Sequence, residues 1–252
     1  MAGSVPFDRA VEYYDRTRAL QPETRASVTE LLRGELDARG RVLEIGVGTG
    51  RIALPLAEAG IPLWGVDLSR PMLGRLEEKA PGAGVRVAEA DATRLPFTAG
   101  AFGAAIACHV LHLVPDWPSA VGELVRVVRP GGVLLLDLGG GPGGEWAEVT
   151  AMVARALGID RPRPGLTSRA DLDQLLDRRP RQLPPVVSRV LRPLGDTLED
   201  LRRQHHAWTW QVEPGAMEEA VRTTREWAER RFGDLDRPRP VETVVTWHAY
   251  DL

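Results

Sequence analysis

The sequence predicts an α/β fold, a mostly parallel sheet covered by helices on both faces, and two observations carry that prediction. Apolar runs of strand length recur with segments of helical period between them, and within the runs polar and apolar residues do not alternate. Strands of that kind are covered on both faces, as parallel strands joined by crossover helices are. A length of 252 residues agrees, being enough for a sizeable core, and one domain spanning 1–252 is the expectation.

The elements follow in order. An N-terminal helical cap is expected over 1–34 and the central core over 35–141. Within the core the strand-like runs are RVLEIGV (Arg41–Val47), PLWGVD (Pro62–Asp67), VRVAEAD (Val85–Asp91), FGAAIAC (Phe102–Cys108) and GVLLLDL (Gly132–Leu138). Pro130 and Gly131 stand where a type II turn wants them, between the helix SAVGELVRVV and the fifth strand. After Leu138 the run GGGPGGEW reads as a glycine-rich joint, followed by helices at Glu145–Leu157 and, behind the cap Ser168, at Arg169–Leu176. PPVVSRVLRP reads as a sixth strand and VETVVTWHAYDL as a seventh. The long helical stretch between them is too much for a hairpin, so two helical insertions, 142–166 and 195–238, are expected to fold over the sheet as a lid.

Composition removes several function classes. A formal charge of −3 lacks the electrostatic footprint of a non-specific nucleic-acid binder. One cysteine, Cys108, rules out an internal disulfide and a multi-thiolate metal site, and no histidine or acidic spacing amounts to a metal centre. Lys79 is the only lysine, which leaves Schiff-base chemistry almost no candidate. MAGSVPFDRA has no signal-peptide run and no stretch approaches the ~20 apolar residues of a membrane span, so a cytoplasmic location is expected.

The stretch VLEIGVGTGR closes the first strand and opens a helix, where free backbone N–H groups favour an electron-rich ligand. A nucleoside triphosphate would need Gly-Lys-Ser/Thr, but Gly50 is followed by Arg51 and Ile52. A dinucleotide would want its third glycine at position 51, which is Arg51. The spacing E-x-G-x-G-x-G, made by Glu44, Gly46, Gly48 and Gly50, instead resembles the first motif of class I S-adenosylmethionine-dependent methyltransferases. DATRLPF, AIACHVLHLVPDW and VVRPGGVLLL follow at that family's spacing, and FDRAVEYYDRTR resembles its small-molecule, quinone C-methylase-like group.

The resemblance implies a Rossmann-like, seven-stranded sheet whose last strand runs antiparallel between the fifth and sixth, with S-adenosylmethionine as cofactor. It implies that Asp67, with Leu68 beside it, takes the ribose hydroxyls, and that Asp91 and the Ala92 N–H meet the adenine. Tyr14 and Arg18, four apart on one helix face, would reach the methionyl carboxylate; an ordinary half-buried aromatic is the other reading of Tyr14. Cys108 is a small buried side chain bordering the cofactor, next to His109. His109 and His112, three apart on one side of a short helix, are the candidate bases, with purely structural roles as the alternative.

His205, His206, Trp208 and Trp210 in HHAWTW would suit a planar or apolar acceptor, or anchor the insertion. The function implied is methyl transfer to a small-molecule acceptor under the lid, with no metal, no membrane span, no nucleic acid and an open oligomeric state. Two other readings stand beside it, a nucleic-acid methyltransferase and a non-catalytic binder of the same cofactor. Against the first, ACHV stands where many adenine methylases carry Asn/Asp-Pro-Pro-aromatic.

Overall fold

A computed structural model describes residues 6–82, 84–159 and 164–252. The ends of two expected elements, 1–5 of the cap and 160–163 of the first insertion, lie outside the described residues. The chain divides into two compact units. The first holds the chain up to Gly139 with Pro164–Val186 and Val245–Leu252, and the second holds Gly140–Arg163 and Val187–Val244.

In chain order the elements are α1 (Tyr14–Arg18), α2 (Pro22–Leu36), β1 (Val42–Ile45), α3 (Ala53–Glu58), β2 (Leu63–Asp67), α4 (Arg70–Lys79), β3 (Arg86–Glu89) and β4 (Phe102–Cys108). There follow α5 (Trp117–Val127), β5 (Val128–Asp137), α6 (Gly144–Ala156), α7 (Arg169–Leu176), β6 (Arg181–Gln182), β7 (Val186–Arg192), α8 (Leu194–Arg202), α9 (Pro214–Phe232), β8 (Arg239–Val245) and β9 (His248–Asp251). None of the described helices is long and apolar enough to cross a membrane.

The first unit is built on a seven-stranded sheet in the order β3-β2-β1-β4-β5-β9-β6. All its pairings are parallel except those of β9, which lies antiparallel between β5 and β6 as the resemblance implied. Strand residues go alternately to two cores: Ala104, Ile106, Val133 and Leu135 meet Leu32, Leu56 and Leu73 of α2, α3 and α4. Ala105, Ala107, Leu134 and Leu136 meet Val121 and Leu124 of α5 and Leu172 of α7. This two-sided burial is why the strand runs carry no polar alternation. Each such leucine contributes roughly 2 kcal/mol of transfer free energy.

Three strand expectations need correction. The sixth place in the sheet is taken by the two-residue β6, because Pro184 and Pro185 carry no N–H for a ladder and end the strand. The expected sixth strand, as β7, pairs instead with β8 in a separate two-stranded sheet. The expected seventh strand is two strands, broken before the fully buried Trp247, and only β9 joins the main sheet. The chain also passes from α5 into β5 without a separate turn; Pro130 and Gly131 (φ +75°) lie within the strand, where its register with β4 shifts.

In the second unit α6, α8 and α9 bury Trp146, Val149, Leu198, Leu201, Met217 and Val221 in a core of their own. Glu145 at the start of α6 pairs with Arg239 of β8 at 3.0 Å.

Candidate functional site

The site is built where β1, β2, β4 and β5 end together. After β1 the chain turns through Gly46 (φ +63°), Gly48 (φ +53°) and Gly50 (φ +83°), backbone conformations that favour glycine. The three are not equivalent. A β-carbon on Gly46 would meet Val110 Cγ2 at 2.5 Å and one on Gly50 would meet Leu54 Cγ at 2.7 Å. On Gly48 it would find no protein atom nearer than Met72 Cε at 3.8 Å. Gly46 and Gly50 are therefore required by packing, whereas a β-carbon on Gly48 would make only ordinary van der Waals contacts.

Asp67, the last residue of β2, ties this loop to the next. Its Oδ2 accepts from Gly48 N–H at 2.8 Å and its Oδ1 from Ser69 N–H at 2.9 Å, with Leu68 N–H also helping the carboxylate. Each oxygen keeps a second lone pair for a ligand hydroxyl. Burial nevertheless raises the carboxyl above its ordinary value. Asp91 lies just beyond β3 rather than at its end, and its Oδ1 accepts from the Thr93 N–H and hydroxyl, both at 2.9 Å. Ala92 beside it is buried.

Beneath the loop, Glu44 is 2 % exposed and its Oε2 has no hydrogen-bond partner among the described residues. Burial pushes its carboxyl up to about 8, against the opposing pull of Arg51. Arg51 donates to the Arg18 carbonyl at 3.4 Å and to Cys108 Sγ at 3.1 Å, and it makes no ion pair among the described residues. Tyr14 lies in the electrostatic field of Arg51, Cys108, Arg18 and Asp67, and burial pushes its phenol up. Asp15 of the same helix accepts from Thr49 at 2.6 Å and Lys79 at 2.9 Å, which ties α1 to the glycine loop. The structure thus brings Tyr14, Arg51, Cys108 and Asp67 into one cluster.

At the end of β4, His109 is not on a helix; it sits in the left-handed region (φ +55°), and only His112 lies in the short 3-10 turn Leu111–Leu113. The two histidines therefore do not share a helix face. His109 Nε2 is 3.1 Å from Asp137 Oδ2, at the end of β5. Cys108 Sγ, a His109 nitrogen and an Asp137 oxygen lie within 4.8 Å of one another, a grouping that linear spacing hid. The Arg51 guanidinium against that sulfur opposes a cation there, and burial pushes the thiol up to about 12, away from the thiolate a metal prefers.

Against known proteins, residues 43–136, which hold the loop, Asp67, Asp91 and both histidines, match the methyltransferase domain family. This stretch is similar to a methyltransferase domain. Over 100 residues, 38% of this chain and 46% of the relative, the chain is 42% identical to the demethylmenaquinone methyltransferase of Thermus thermophilus. Over 101 residues, 38% of this chain and 49% of the relative, it is 37% identical to a phosphatidylethanolamine N-methyltransferase of Cereibacter sphaeroides. The chain spans about half the length of these curated relatives. The YcgJ protein of Bacillus subtilis shares the fold, with a TM-score of 0.58 and 19% identity over 91% of this chain and 97% of that one.

His205, His206, Trp208 and Trp210 fall outside the methyltransferase-domain match, in the second unit. There they close the end of α8: His205 Nδ1 is 3.0 Å from Asp200 Oδ1, and Trp210 Nε1 donates to the Gln204 carbonyl at 2.9 Å. The His206 carbonyl accepts from the Thr209 hydroxyl at 2.6 Å, and Trp208 packs against that unit's core. Sequence reasoning missed Arg51 and Asp137. Arg51 occupies the place where a dinucleotide loop would carry glycine, which was the available signal; Asp137 gave none, since its link to His109 depends on strand order.

Proposed function

We propose that the chain binds S-adenosylmethionine at the Gly46–Gly50 turn and transfers its methyl group to a small-molecule acceptor. The observation that carries this reading is the loop itself: Gly48 is not held by packing, since a β-carbon there would meet no protein atom nearer than 3.8 Å, and its N–H holds the Asp67 carboxylate at the end of β2. Asp67 takes the ribose hydroxyls, with Leu68 beside it, and Asp91 with the Ala92 N–H takes the adenine. Arg51, a buried-side cation without an ion pair among the described residues, holds the methionyl carboxylate together with Tyr14 and Arg18. Glu44, with its partnerless oxygen beneath the loop, fits a ligand that brings an amino group. The cofactor supplies a sulfonium leaving group; the protein orients the acceptor, excludes water and, through His109 or His112, accepts a proton.

The two named relatives, a quinone and a phospholipid methyltransferase, each match only 38% of this chain, and that similarity does not select between their acceptors. The second unit, Gly140–Arg163 and Val187–Val244, lies wholly outside the matched residues 43–136. Titration calorimetry with S-adenosylmethionine and S-adenosylhomocysteine tests the reading. Binding of both is expected, and a protein with no measurable affinity for either would overturn it.

A further inference from the structure

We propose that Asp137 is a positioning residue: it holds the His109 imidazole as the Nε2–H tautomer and leaves Nδ1 as the lone pair that takes a proton from the acceptor. This rests on the methyl-transfer reading above. The arrangement has several independent parts. Asp137 Oδ2 lies 3.1 Å from His109 Nε2, while its Oδ1 accepts from Gly139 N–H at 2.8 Å. The His109 N–H donates to the Asp137 carbonyl at 2.9 Å, which fixes the backbone beneath the ring. His109 itself adopts φ +55°, a conformation that L side chains rarely take. Gly139 makes room for the ring, since a β-carbon there would come within 3.1 Å of imidazole Cδ2 and Cγ.

Exposure separates the partners as their roles require: the Asp137 side chain is 8% exposed and that of His109 32%. Burial alone would raise the Asp137 carboxyl, but the His109 hydrogen bond and charge, the Gly139 N–H and Arg51 outweigh it and hold it below the ordinary carboxylate range. An ionised oxygen can only accept, so Nε2 carries the hydrogen and Nδ1 does not. The other charged or titratable groups around the pair are Cys108, a thiol 3.9 Å from Asp137 Oδ2, Arg51 on that thiol, and His248 on β9 opposite Leu136. His248 is pushed down by burial.

In the step, the proton on the acceptor's reacting atom passes to His109 Nδ1 as that atom's electron pair forms the bond to the methyl carbon. The carbon–sulfur bond breaks, its electron pair stays on sulfur, and the sulfonium becomes a thioether. The imidazolium that results faces the Asp137 carboxylate.

Nitrogen-15 NMR of the histidine side chains tests the pairing without any acceptor, with the His109 signals assigned from His109→Gln. The wild type at alkaline pH is expected to show a bare Nδ1 and a protonated Nε2. Asp137→Asn is expected to mix the tautomers, since an amide can donate as well as accept. An Nδ1–H tautomer in the wild type, or an unmixed Nε2–H tautomer in both proteins, would overturn the proposal; the wild-type spectrum decides alone if the variant fails to fold. Calorimetry with S-adenosylhomocysteine on the same samples separates the failures. A missing tautomer in a protein that binds the ligand overturns the pair only, whereas absent binding overturns the methyl-transfer reading and the pair's role with it.

Discussion

The cluster around the glycine loop after β1, with Tyr14, Glu44, Arg51 and Asp67, and the segment 204–212 after α8 both gather polar and aromatic side chains, yet they use their hydrogen-bonding groups in opposite ways. Segment 204–212 closes on itself: Gln204 Nε2 donates to the Val212 carbonyl at 2.7 Å, Trp210 Nε1 to the Gln204 carbonyl at 2.9 Å, and the buried Thr209 to the His206 carbonyl at 2.6 Å. Around the glycine loop, Glu44 Oε2 is buried without a hydrogen-bond partner and Arg51 lacks an ion pair among the described residues, and no protein atom comes nearer than 3.8 Å to a β-carbon placed on Gly48. Density of functional-looking side chains does not distinguish a binding site from a helix end; unmet bonding capacity does.

That capacity destabilises the apo fold, and its largest signature is pH dependence. Glu44 is held neutral by burial, its carboxyl moved from 4.5 to about 8. As pH rises from 4.5 to 8 the unfolded chain ionises while the folded chain does not, so stability is full below the unfolded value, falls across this window and levels off above it. The loss is on the order of 3–5 kcal/mol. Glu44→Gln removes it, so in urea denaturation the variant should gain on the wild type between pH 5 and pH 8. A constant gap across that range would break the comparison.

Next in size is Asp67, which in this loop both holds Gly48 and Ser69 and is proposed to hold the ribose. Asp67→Ala should weaken S-adenosylmethionine by roughly 2–4 kcal/mol, about 30- to 1000-fold, measured by calorimetry. Unchanged affinity would leave Asp67 as a loop clasp alone.

How far such differences can be read beforehand depends on their range along the chain. The limits of β4 at Phe102 and Cys108 and the Ser168 cap whose Oγ accepts from Ala170 N–H at 3.1 Å are set by neighbouring residues, and both were legible. The glycine spacing was legible too, but not which glycines are held by close packing, since Val110 and Leu54 decide that from elsewhere. Asp137 meets His109 only because β5 lies beside β4. The two-residue β6 is too short to give any pattern, and β7 carries the stronger strand signal in a different sheet.

The glycines sharpen the contrast within the loop. Gly46→Ala and Gly48→Ala share the penalty of a side chain at positive φ, but only the first drives a β-carbon into Val110. Overpacking of that kind costs about 1–3 kcal/mol, so Gly46→Ala should unfold at lower urea by that difference. Gly48→Ala should stay folded and lose S-adenosylmethionine affinity at least ~10-fold, as a ligand contact worth about 1.4 kcal/mol would require. Equal stabilities, or a Gly48 variant with normal affinity, would make the loop a packing device throughout.

The smallest effect is expected where bonding is already complete. Trp210 anchors segment 204–212 through one indole hydrogen bond to Gln204, and that backbone carbonyl sits at the end of α8, where helical carbonyls lack partners of their own. Trp210→Phe keeps most of the apolar surface and deletes the donor, so it should lower stability by about 1 kcal/mol, read as a fall in the urea midpoint with no change in slope. S-adenosylmethionine affinity should stay within experimental error, because the change falls outside the matched domain and touches none of the residues proposed to hold the cofactor. An indole that instead serves as an acceptor wall contributes little to the folded state without its ligand, so an unmoved midpoint would favour that role. A lowered midpoint with normal cofactor binding would fix Trp210 as the closure of a helix end, and the acceptor contacts would then be sought around His109 and Asp137.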